Sequence, residues 1–174
     1  MNAPSKIAPT GNRVWIEPTD LIVSKTTVES YITYANEGFC NISGYTEEEL
    51  LGAPQNIVRH PAMPKAVFEL MWQHLKQEQE FFGYVLNLAK DGSEYWTFAH
   101  VTPFYQGEDI QGFISVRRAV NENTIEFIEA IYQDMLKIEE NNPQKEVAMA
   151  QSSTRLWKEI NKEYQSYAEF ILSL

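Results

Sequence analysis

The chain has 174 residues and carries 14 Lys+Arg against 24 Asp+Glu, a formal net charge of −10. This length suits one domain with an appendage. The acidic balance, with no basic run, excludes nucleic acid and anionic membrane as predicted partners. The single cysteine, Cys40, excludes an internal disulfide and a paired-cysteine metal site, which favours a reducing, cytoplasmic compartment.

Composition divides the chain into three predicted regions. Residues 1–19 carry three prolines among polar residues and predict a flexible arm that contacts the domain through residues 14–16. Residues 20–120 have the mixed pattern of a compact domain, and residues 121–174 predict a helical extension. No apolar run approaches the roughly 20 residues that span a bilayer, so we expect no membrane span.

The domain begins with two predicted strands and two short helices. Residues 21–23 and 31–34 are rich in β-branched and aromatic side chains, typical of strands that a polar hairpin connects. Asn36 is a predicted N-cap of a short helix that ends at Gly44. The T-x-x-E pattern at 46–49 then predicts a capping box at the start of a second helix.

The segment 56–65, with the sequence NIVRHPAMPK, is called the proline loop below. Its two prolines fix φ and push the preceding residues toward extended geometry, so a helix cannot pass through it. The guanidinium of Arg59 and the start of the following helix, predicted over 64–77, are both suited to an anionic group. The alternative is a rigid turn that carries a surface Arg-His pair.

Three strands follow, and alternation separates their two faces. One face is bulky and apolar, and we expect a tail helix, the arm or a second protomer to cover it. The other face carries Asn87, Thr97, Ala99, Ser115 and Arg117. These small and polar residues leave volume unfilled and need partners, which a planar heteroaromatic ligand could supply. Alternatively, helix side chains fill the space and water satisfies Asn87.

The extension contains two series of helical spacing. The first predicts one amphipathic helix and consists of Ile125, Ile128, Tyr132 and Met135. The second alternates steps of three and four, as in a coiled-coil seam, and consists of Ala150, Ser153, Trp157, Ile160, Tyr164, Tyr167, Ile171 and Leu174. Its aromatic members suit a coiled coil, a helix packed back on the domain or a short bundle equally well.

The order of the predicted elements is two strands, short helices, the proline loop, a longer helix and three strands. Along this order stand the motifs NEGF at 36–39, SGYT at 43–46, GAP at 52–54, VRHP at 58–61, MPKA at 63–66, DG at 91–92 and YW at 95–96. With these motifs, residues 20–120 resemble a PAS sensor domain, and most specifically the flavin-binding PAS domains of aerotaxis receptors. The resemblance implies an α+β PAS fold, with a five-stranded antiparallel sheet, short helices on one face and a helical C-terminal extension.

The same resemblance implies FAD as the cofactor. Together with the alternation of the strands, it predicts cofactor contacts at Asn36, Asn56, Arg59, His60, Trp72, Asn87, Thr97, Ser115 and Arg117. Asn87 stands where these domains, and light-oxygen-voltage domains, place an asparagine against the polar edge of the ring. Ala62 stands where the family has an acidic residue, and Phe81 where it has a tryptophan.

We therefore predict a redox or oxygen sensor of bacterial signal transduction, in aerotaxis or energy taxis, and not an enzyme. The alternatives are a haem gas sensor with His74 as the iron ligand and a cofactor-free dimerisation module. A light-driven adduct is disfavoured, because the N-C-R sequence is absent and Cys40 lies on an early helix. The predicted partners are a second copy of the chain and a chemoreceptor-type protein, or a signalling domain further along a longer chain.

Overall fold

A computed structural model describes residues 7–174. The first six residues of the predicted arm lie outside the described residues. From residue 7 the arm runs beside the hairpin at Gly92, where the Thr10 N–H donates to the Gly92 carbonyl at 2.8 Å. Arg13 forms ion pairs with Glu94 and Glu129, at 3.0 and 3.1 Å. These contacts tie the described part of the arm to both the sheet and the tail.

One antiparallel sheet forms the centre of the molecule, in the order β2-β1-β5-β4-β3. Its strands are β1 (Ile22–Thr27), β2 (Ile32–Ala35), β3 (Phe81–Leu88), β4 (Glu94–Gln106) and β5 (Asp109–Arg118). The first and last strands of the domain lie side by side at its middle, because β1 pairs with both β2 and β5. This confirms the predicted five-stranded α+β architecture.

Six helices of residues 7–174 pack on the two faces of this sheet. They are α1 (Glu37–Ser43), α2 (Glu47–Leu50), α3 (Lys65–Lys76), α4 (Glu122–Asn141), α5 (Lys145–Ile160) and α6 (Tyr167–Ser173), with a 3₁₀ turn at Gln55–Val58. None of the helices within residues 7–174 is long and apolar enough to cross a bilayer. The inner face of the sheet meets the short helices and α3, and the outer face of β3 and β4 meets the tail.

The predicted helix caps are confirmed. Asn36 Oδ1 accepts from the Phe39 N–H, and α1 ends at Gly44 in the left-handed conformation, at φ 71°. Both hydrogen bonds of the capping box between Thr46 and Glu49 are present. Each cap satisfies a backbone group that the helix itself leaves free, so these short helices form at the predicted positions.

The start of α3 is capped from the tail. Pro64 provides no side-chain cap, and the Glu139 carboxylate of α4 accepts from the backbone N–H groups of Lys65, at 2.8 Å, and Ala66, at 3.1 Å. Ser152 of α5 donates to the same carboxylate at 2.9 Å. A carboxylate at a helix N-terminus is favoured by the helix dipole, so this contact anchors the tail beside the proline loop.

The tail packs back on the outer face of the sheet, which is one of the predicted alternatives. The Tyr132 hydroxyl donates to the Tyr84 carbonyl at 2.9 Å, and the Tyr84 hydroxyl donates to the Ile171 carbonyl at 3.3 Å. The first helical series is confirmed, since all four of its members are buried. Together with the apolar residues of β3 and α3 they form the larger of two apolar cores.

The second helical series does not form a continuous coiled-coil seam. The helix α5 ends at Ile160, and α6 begins only at Tyr167, after Ser166 caps it. The buried positions of α5 are Ala148, Ser152, Leu156 and Ile160. Of these, only Ile160 belongs to the predicted series. Packing against α4 and the sheet buries the face of α5 whose residues are four positions apart.

Candidate functional site

A cavity of about 270 Å³ lies between the inner face of the sheet, the 3₁₀ turn and α3. Its lining consists of Thr26, Glu29, Ser30, Pro54, Gln55, Asn56, Val58, Arg59, Phe68, Met71, Trp72, Leu75, Phe81, Val85, Asn87, Ala99, Val101, Phe113, Ser115 and Arg117. Small-molecule sites usually enclose about 300–1,000 Å³. The volume is therefore close to the lower end of that range, enough for a ring system.

The floor of the cavity is the small and polar face that alternation predicts. It is provided by Val85 and Asn87 of β3, Ala99 of β4, and Ser115 and Arg117 of β5. Short side chains on adjacent strands leave the middle of the sheet uncovered, whereas α3 and the proline loop form the opposite wall. The cavity opens beside exposed residues of the β1–β2 turn and of the 3₁₀ turn.

Asn87 is 4% exposed and has its amide fixed by the strand beside it. Its Nδ2 donates to the Val85 carbonyl at 3.3 Å and to Thr97 Oγ1 at 3.2 Å. Thr97 is fully buried and does not line the cavity, and its hydroxyl supports the Asn87 amide, so its predicted cofactor contact stays a prediction. Long bonds of this kind orient the Asn87 amide and leave it able to bind a ligand.

Arg59 faces the cavity from the proline loop. Its backbone forms a single antiparallel bridge with Asn87, and its guanidinium carbon lies 4.0 Å from the centre of the Phe68 ring. Burial lowers the pKa of Arg59, and the nearby carboxylate of Glu139 opposes that shift. The stacking fixes the plane of the guanidinium, which is the arrangement that suits bidentate binding of phosphate.

Two side chains that were predicted to contact the cofactor form hydrogen bonds within the protein. Asn36 Oδ1 accepts from Val23 N–H at 2.8 Å as well as from the α1 cap, and its Nδ2 donates to the Leu21 carbonyl at 2.8 Å. His60 Nδ1 accepts from the Ala62 N–H at 3.0 Å. Neither residue lines the cavity, and both side chains hold the backbone around the site, so their predicted cofactor contacts stay predictions.

The buried His60 makes the fold sensitive to pH. Burial lowers its pKa below the ordinary value of about 6.5, with a smaller opposing effect of Glu94. As the pH falls, the unfolded chain therefore binds the proton before the folded protein does. The contribution of neutral His60 to the free energy of unfolding is complete above about pH 6.5 and is lost as the pH falls through the lower pKa of the folded state.

We expect urea unfolding to show a lower free energy of unfolding at pH 5.5 than at pH 7.5. The slope should stay below the one-proton limit of about 1.4 kcal/mol per pH unit. His60→Gln should flatten this dependence, because glutamine does not titrate. A variant with the same slope as the wild type would place the titrating group elsewhere.

The remaining predicted contacts line the cavity. Trp72 forms an edge-on contact with Phe113, with ring centres 5.6 Å apart, at the side of the cavity. Ser115 lies on the floor, and Asn56 is exposed beside the opening. Trp72 therefore offers an aromatic wall, while Asn56 is placed to meet only the part of a ligand that extends out of the cavity.

Arg117 is the most unusual group of the site, because it is 6% exposed and pairs with no carboxylate among residues 7–174. Its Nη2 donates to Ser24 Oγ at 3.0 Å, and its guanidinium lies 5.1 Å from the centre of the Phe39 ring. Burial lowers the pKa of Arg117 to about 10, which still leaves it charged at neutral pH. A positive charge is thus held at the floor of the cavity.

Two polar residues near Arg117 were not predicted. Ser24 donates to Gln55 Oε1 at 3.0 Å, and Gln55 lines the cavity from the 3₁₀ turn. Ser24 alternates with Ile22 and Thr26 on the inner face of β1, so the period of two could have identified it. Gln55 carries no comparable signal, because its position depends on the path of the turn.

Nothing in the cavity favours haem. The chain has three histidines, His60, His74 and His100, and none of them lines the cavity. His74 Nδ1 lies 2.8 Å from the Leu70 carbonyl, and its ring contacts Phe81 and Tyr167. Among the described residues there is also no group of three His, Cys, Asp or Glu that could hold a metal ion.

Comparison with known proteins agrees with this geometry. Residues 32–117 match the family model described as PAS fold. This part of the chain is a PAS domain. The aerotaxis receptor of Escherichia coli K12 is 42% identical over 112 residues, 64% of this chain and 22% of that protein. The nitrogen fixation regulatory protein of Klebsiella pneumoniae is 31% identical over 108 residues, 61% of this chain and 22% of that protein.

Solved structures show the same fold. A light-oxygen-voltage domain studied with a flavin analogue is 25% identical, with a TM-score of 0.55, and the match covers 70% of this chain and 86% of that domain. The PAS domain of a Colwellia psychrerythraea protein matches with a TM-score of 0.53 at 21% identity, over 57% of this chain and 86% of that chain. The chain spans about a fifth of the length of the two curated relatives, 22% of each.

Proposed function

We propose that this chain binds FAD in the cavity and is a cytoplasmic redox or oxygen sensor of bacterial signal transduction, in aerotaxis or energy taxis. The observation that carries the proposal is the small, polar floor with buried Asn87 and the uncompensated charge of Arg117. An isoalloxazine ring is planar, apolar on its faces and polar at one edge, which fits such a floor. The 42% identity to an aerotaxis receptor supports the same proposal.

The residues present fit this cofactor. Asn87 and Arg117 would meet the polar edge of the ring, and Trp72 would meet an apolar part of it. Arg59 would hold a phosphate, and the rest of the dinucleotide would leave by the opening near Asn56, since about 270 Å³ is too little for all of FAD. When bound, the flavin supplies a group that accepts and releases electrons, and the protein supplies binding and electrostatics.

The decisive experiment is an absorption spectrum of freshly purified protein, before incubation with FAD and after incubation followed by removal of unbound FAD. Flavin bands in the blue and near-ultraviolet, with about one flavin for each chain, are the expected result. A Soret band would instead support the haem alternative. A featureless spectrum after incubation with FAD would contradict the proposal and leave a cofactor-free interaction module.

Asn87→Ala and Arg59→Ala should each lower flavin affinity while the domain stays folded. Asn87 would lose a hydrogen bond of about 1 kcal/mol, roughly a fivefold change in Kd. Arg59 would lose a charge-assisted contact of about 1.5–3 kcal/mol, roughly 10- to 150-fold. Fluorescence titration with FAD measures both changes, and circular dichroism checks the fold.

Arg118→Ala is the matched control for charge. Arg118 follows Arg117 on β5 and is exposed, so its removal changes the net charge without touching the cavity. Equal losses in Arg118→Ala and Arg59→Ala would mean that only the overall charge matters. Wild-type affinity in both Asn87→Ala and Arg59→Ala would remove these residues from the site.

The output is proposed to leave through residues 121–174, separate from the domain at 20–120 and the arm at 1–19. Phe81 lines the cavity and stacks on Tyr167 of α6, with ring centres 5.5 Å apart and planes inclined by 18°. A change at the cavity wall therefore reaches the tail through one aromatic contact. The recipient is proposed to be a chemoreceptor-type protein or a signalling domain of a longer chain.

A homodimer is the proposed assembly. The tail covers the outer face of β3 and β4, whereas Leu21 and Tyr34, near the other edge of the sheet, are 46% and 43% exposed. Exposed apolar side chains at the edge of a sheet offer a surface for association with another protein molecule. Light scattering across a dilution series tests the assembly.

A further inference from the structure

Three polar side chains at and behind the cavity wall are joined by hydrogen bonds. Arg117 Nη2 donates to Ser24 Oγ at 3.0 Å, and Ser24 in turn donates to Gln55 Oε1 at 3.0 Å. Ser24 is fully buried and does not line the cavity, while Arg117 and Gln55 do. Ser24 has one proton to donate and here also accepts from Arg117, so its hydroxyl is used in both directions.

Two hydrogen-bond donors of these three side chains have no partner. Arg117 Nη1 and Gln55 Nε2 are buried and have no hydrogen-bond partner in the part of the chain that the structure describes. Buried donors are nearly always satisfied, and a buried cation is usually paired with an anion. Phe39 and Tyr95 also neighbour Arg117, and neither side chain is an anion at neutral pH. The arrangement therefore lacks an acceptor, and both side chains belong to residues that line the cavity.

We infer that Arg117 and Gln55 form a subsite for the negatively charged, acceptor-bearing edge of a planar ring ligand, with Ser24 as the positioning residue. The inference rests on the proposed function and adds a preference for the reduced form of the flavin. Two electrons from a reductant and one proton from water convert the neutral oxidised ring into a reduced ring with one negative charge. A fixed cation and an amide donor stabilise that charge more than they stabilise the neutral ring.

The experiment measures the Kd of FAD in its oxidised form and in its form reduced by dithionite, for wild type and variants, together with the midpoint potential. Arg117→Gln should reduce the preference for reduced over oxidised FAD at least tenfold. That change corresponds to a midpoint potential about 30 mV more negative for two electrons. Arg117→Lys should retain part of the preference because it keeps the charge.

Ser24 and Gln55 are tested in the same way. Ser24→Ala should shift the potential in the same direction as Arg117→Gln, because Arg117 Nη2 loses its acceptor and Gln55 Oε1 loses its donor, so neither side chain is held in place. Ser24→Thr should restore it. Gln55→Glu should shift it further, since it places a carboxylate where the anion would lie. Arg118→Gln is the control, with the same loss of charge one residue along β5 but on the exposed side.

Flavin-free protein provides a readout that does not depend on the cofactor. Because an unpaired buried cation opposes folding, Arg117→Gln should raise the Tm of the flavin-free protein. A lower Tm would make Arg117 a structural cation and overturn the inference. Flavin that binds with an unchanged potential in Arg117→Gln and Ser24→Ala would overturn the subsite alone. A wild type that binds no flavin would overturn the proposed function, and the subsite with it.

Discussion

Ala99→Phe should abolish flavin binding while the domain remains folded. Ala99 is 3% exposed and lies at the centre of the cavity floor, where its neighbours on the adjoining strands are Gly83 and Arg117. A benzyl group attached there would occupy the space of about 270 Å³ that the ring needs. We expect the Kd to rise at least roughly 100-fold, which is about 2.8 kcal/mol.

The folding cost of this change should be small. Extra atoms in a fully packed core cost roughly 1–3 kcal/mol, but here they enter empty space. Thr102→Phe is the matched control, because Thr102 lies on the same strand and its side chain does not line the cavity. It should bind FAD like the wild type. Wild-type binding in Ala99→Phe would place the flavin outside this cavity, whereas an unfolded Ala99→Phe would show that the floor is already filled.

The fold of the domain was predictable because its signals are local. The period of two assigned the inner and outer faces of the meander, and the cap residues Asn36, Gly44 and Thr46 marked where helices begin or end. No α-helix runs through the proline loop, as its two prolines require. Each of these features depends on residues a few positions apart, so tertiary packing did not overrule them.

The residues of the candidate site were predictable only where strand alternation or the family resemblance identified them. Asn87, Arg59 and Arg117 line the cavity as expected. The side chains of Asn36 and His60 instead accept hydrogen bonds from backbone N–H groups. A sequence pattern states which face a residue occupies and does not state which partner it finds. Gln55 shows the reverse case, because a turn places it in the cavity without any periodic signal.

The tail shows why helical spacing is ambiguous. Steps of three and four describe one face of any amphipathic helix, whether its partner is a second copy or its own domain. The break between α5 and α6 contains no proline or glycine. Its signals are the weaker ones of Asn161 at the end of α5 and Ser166 before Glu169 at the start of α6, and the unbroken spacing of the series hid them. What decided the outcome was the apolar outer face of β3 and β4, which α4 and α6 cover.

Ile160→Asp should release the end of the tail without emptying the flavin site. Ile160 is fully buried in the core that α4, α6 and the sheet share, and it does not line the cavity. A carboxylate buried there without a partner costs roughly 3–5 kcal/mol. Local opening of α5 and α6 exposes the charge to water at a lower cost than unfolding of the sheet, so we expect the tail to detach.

Limited proteolysis measures this release. In Ile160→Asp we expect rapid cleavage within residues 142–174 and an intact core that keeps its flavin spectrum. Thr154→Asp is the matched control, because it adds the same charge at an exposed position of the same helix. A flavin spectrum lost together with the tail would mean that tail and cavity form one cooperative unit.

The same assay decides whether the tail responds to the redox state. A ligand shifts a conformational equilibrium only as far as it interacts differently with the two states, so oxidised and reduced protein must differ in tail packing if the tail transmits the signal. Phe81, which contacts both the cavity and Tyr167, is the expected link. Phe81→Leu should then make the cleavage rates of oxidised and reduced protein equal while both remain folded. Equal rates already in the wild type would make the tail a structural cover, and the signal would have to leave by the exposed part of the sheet.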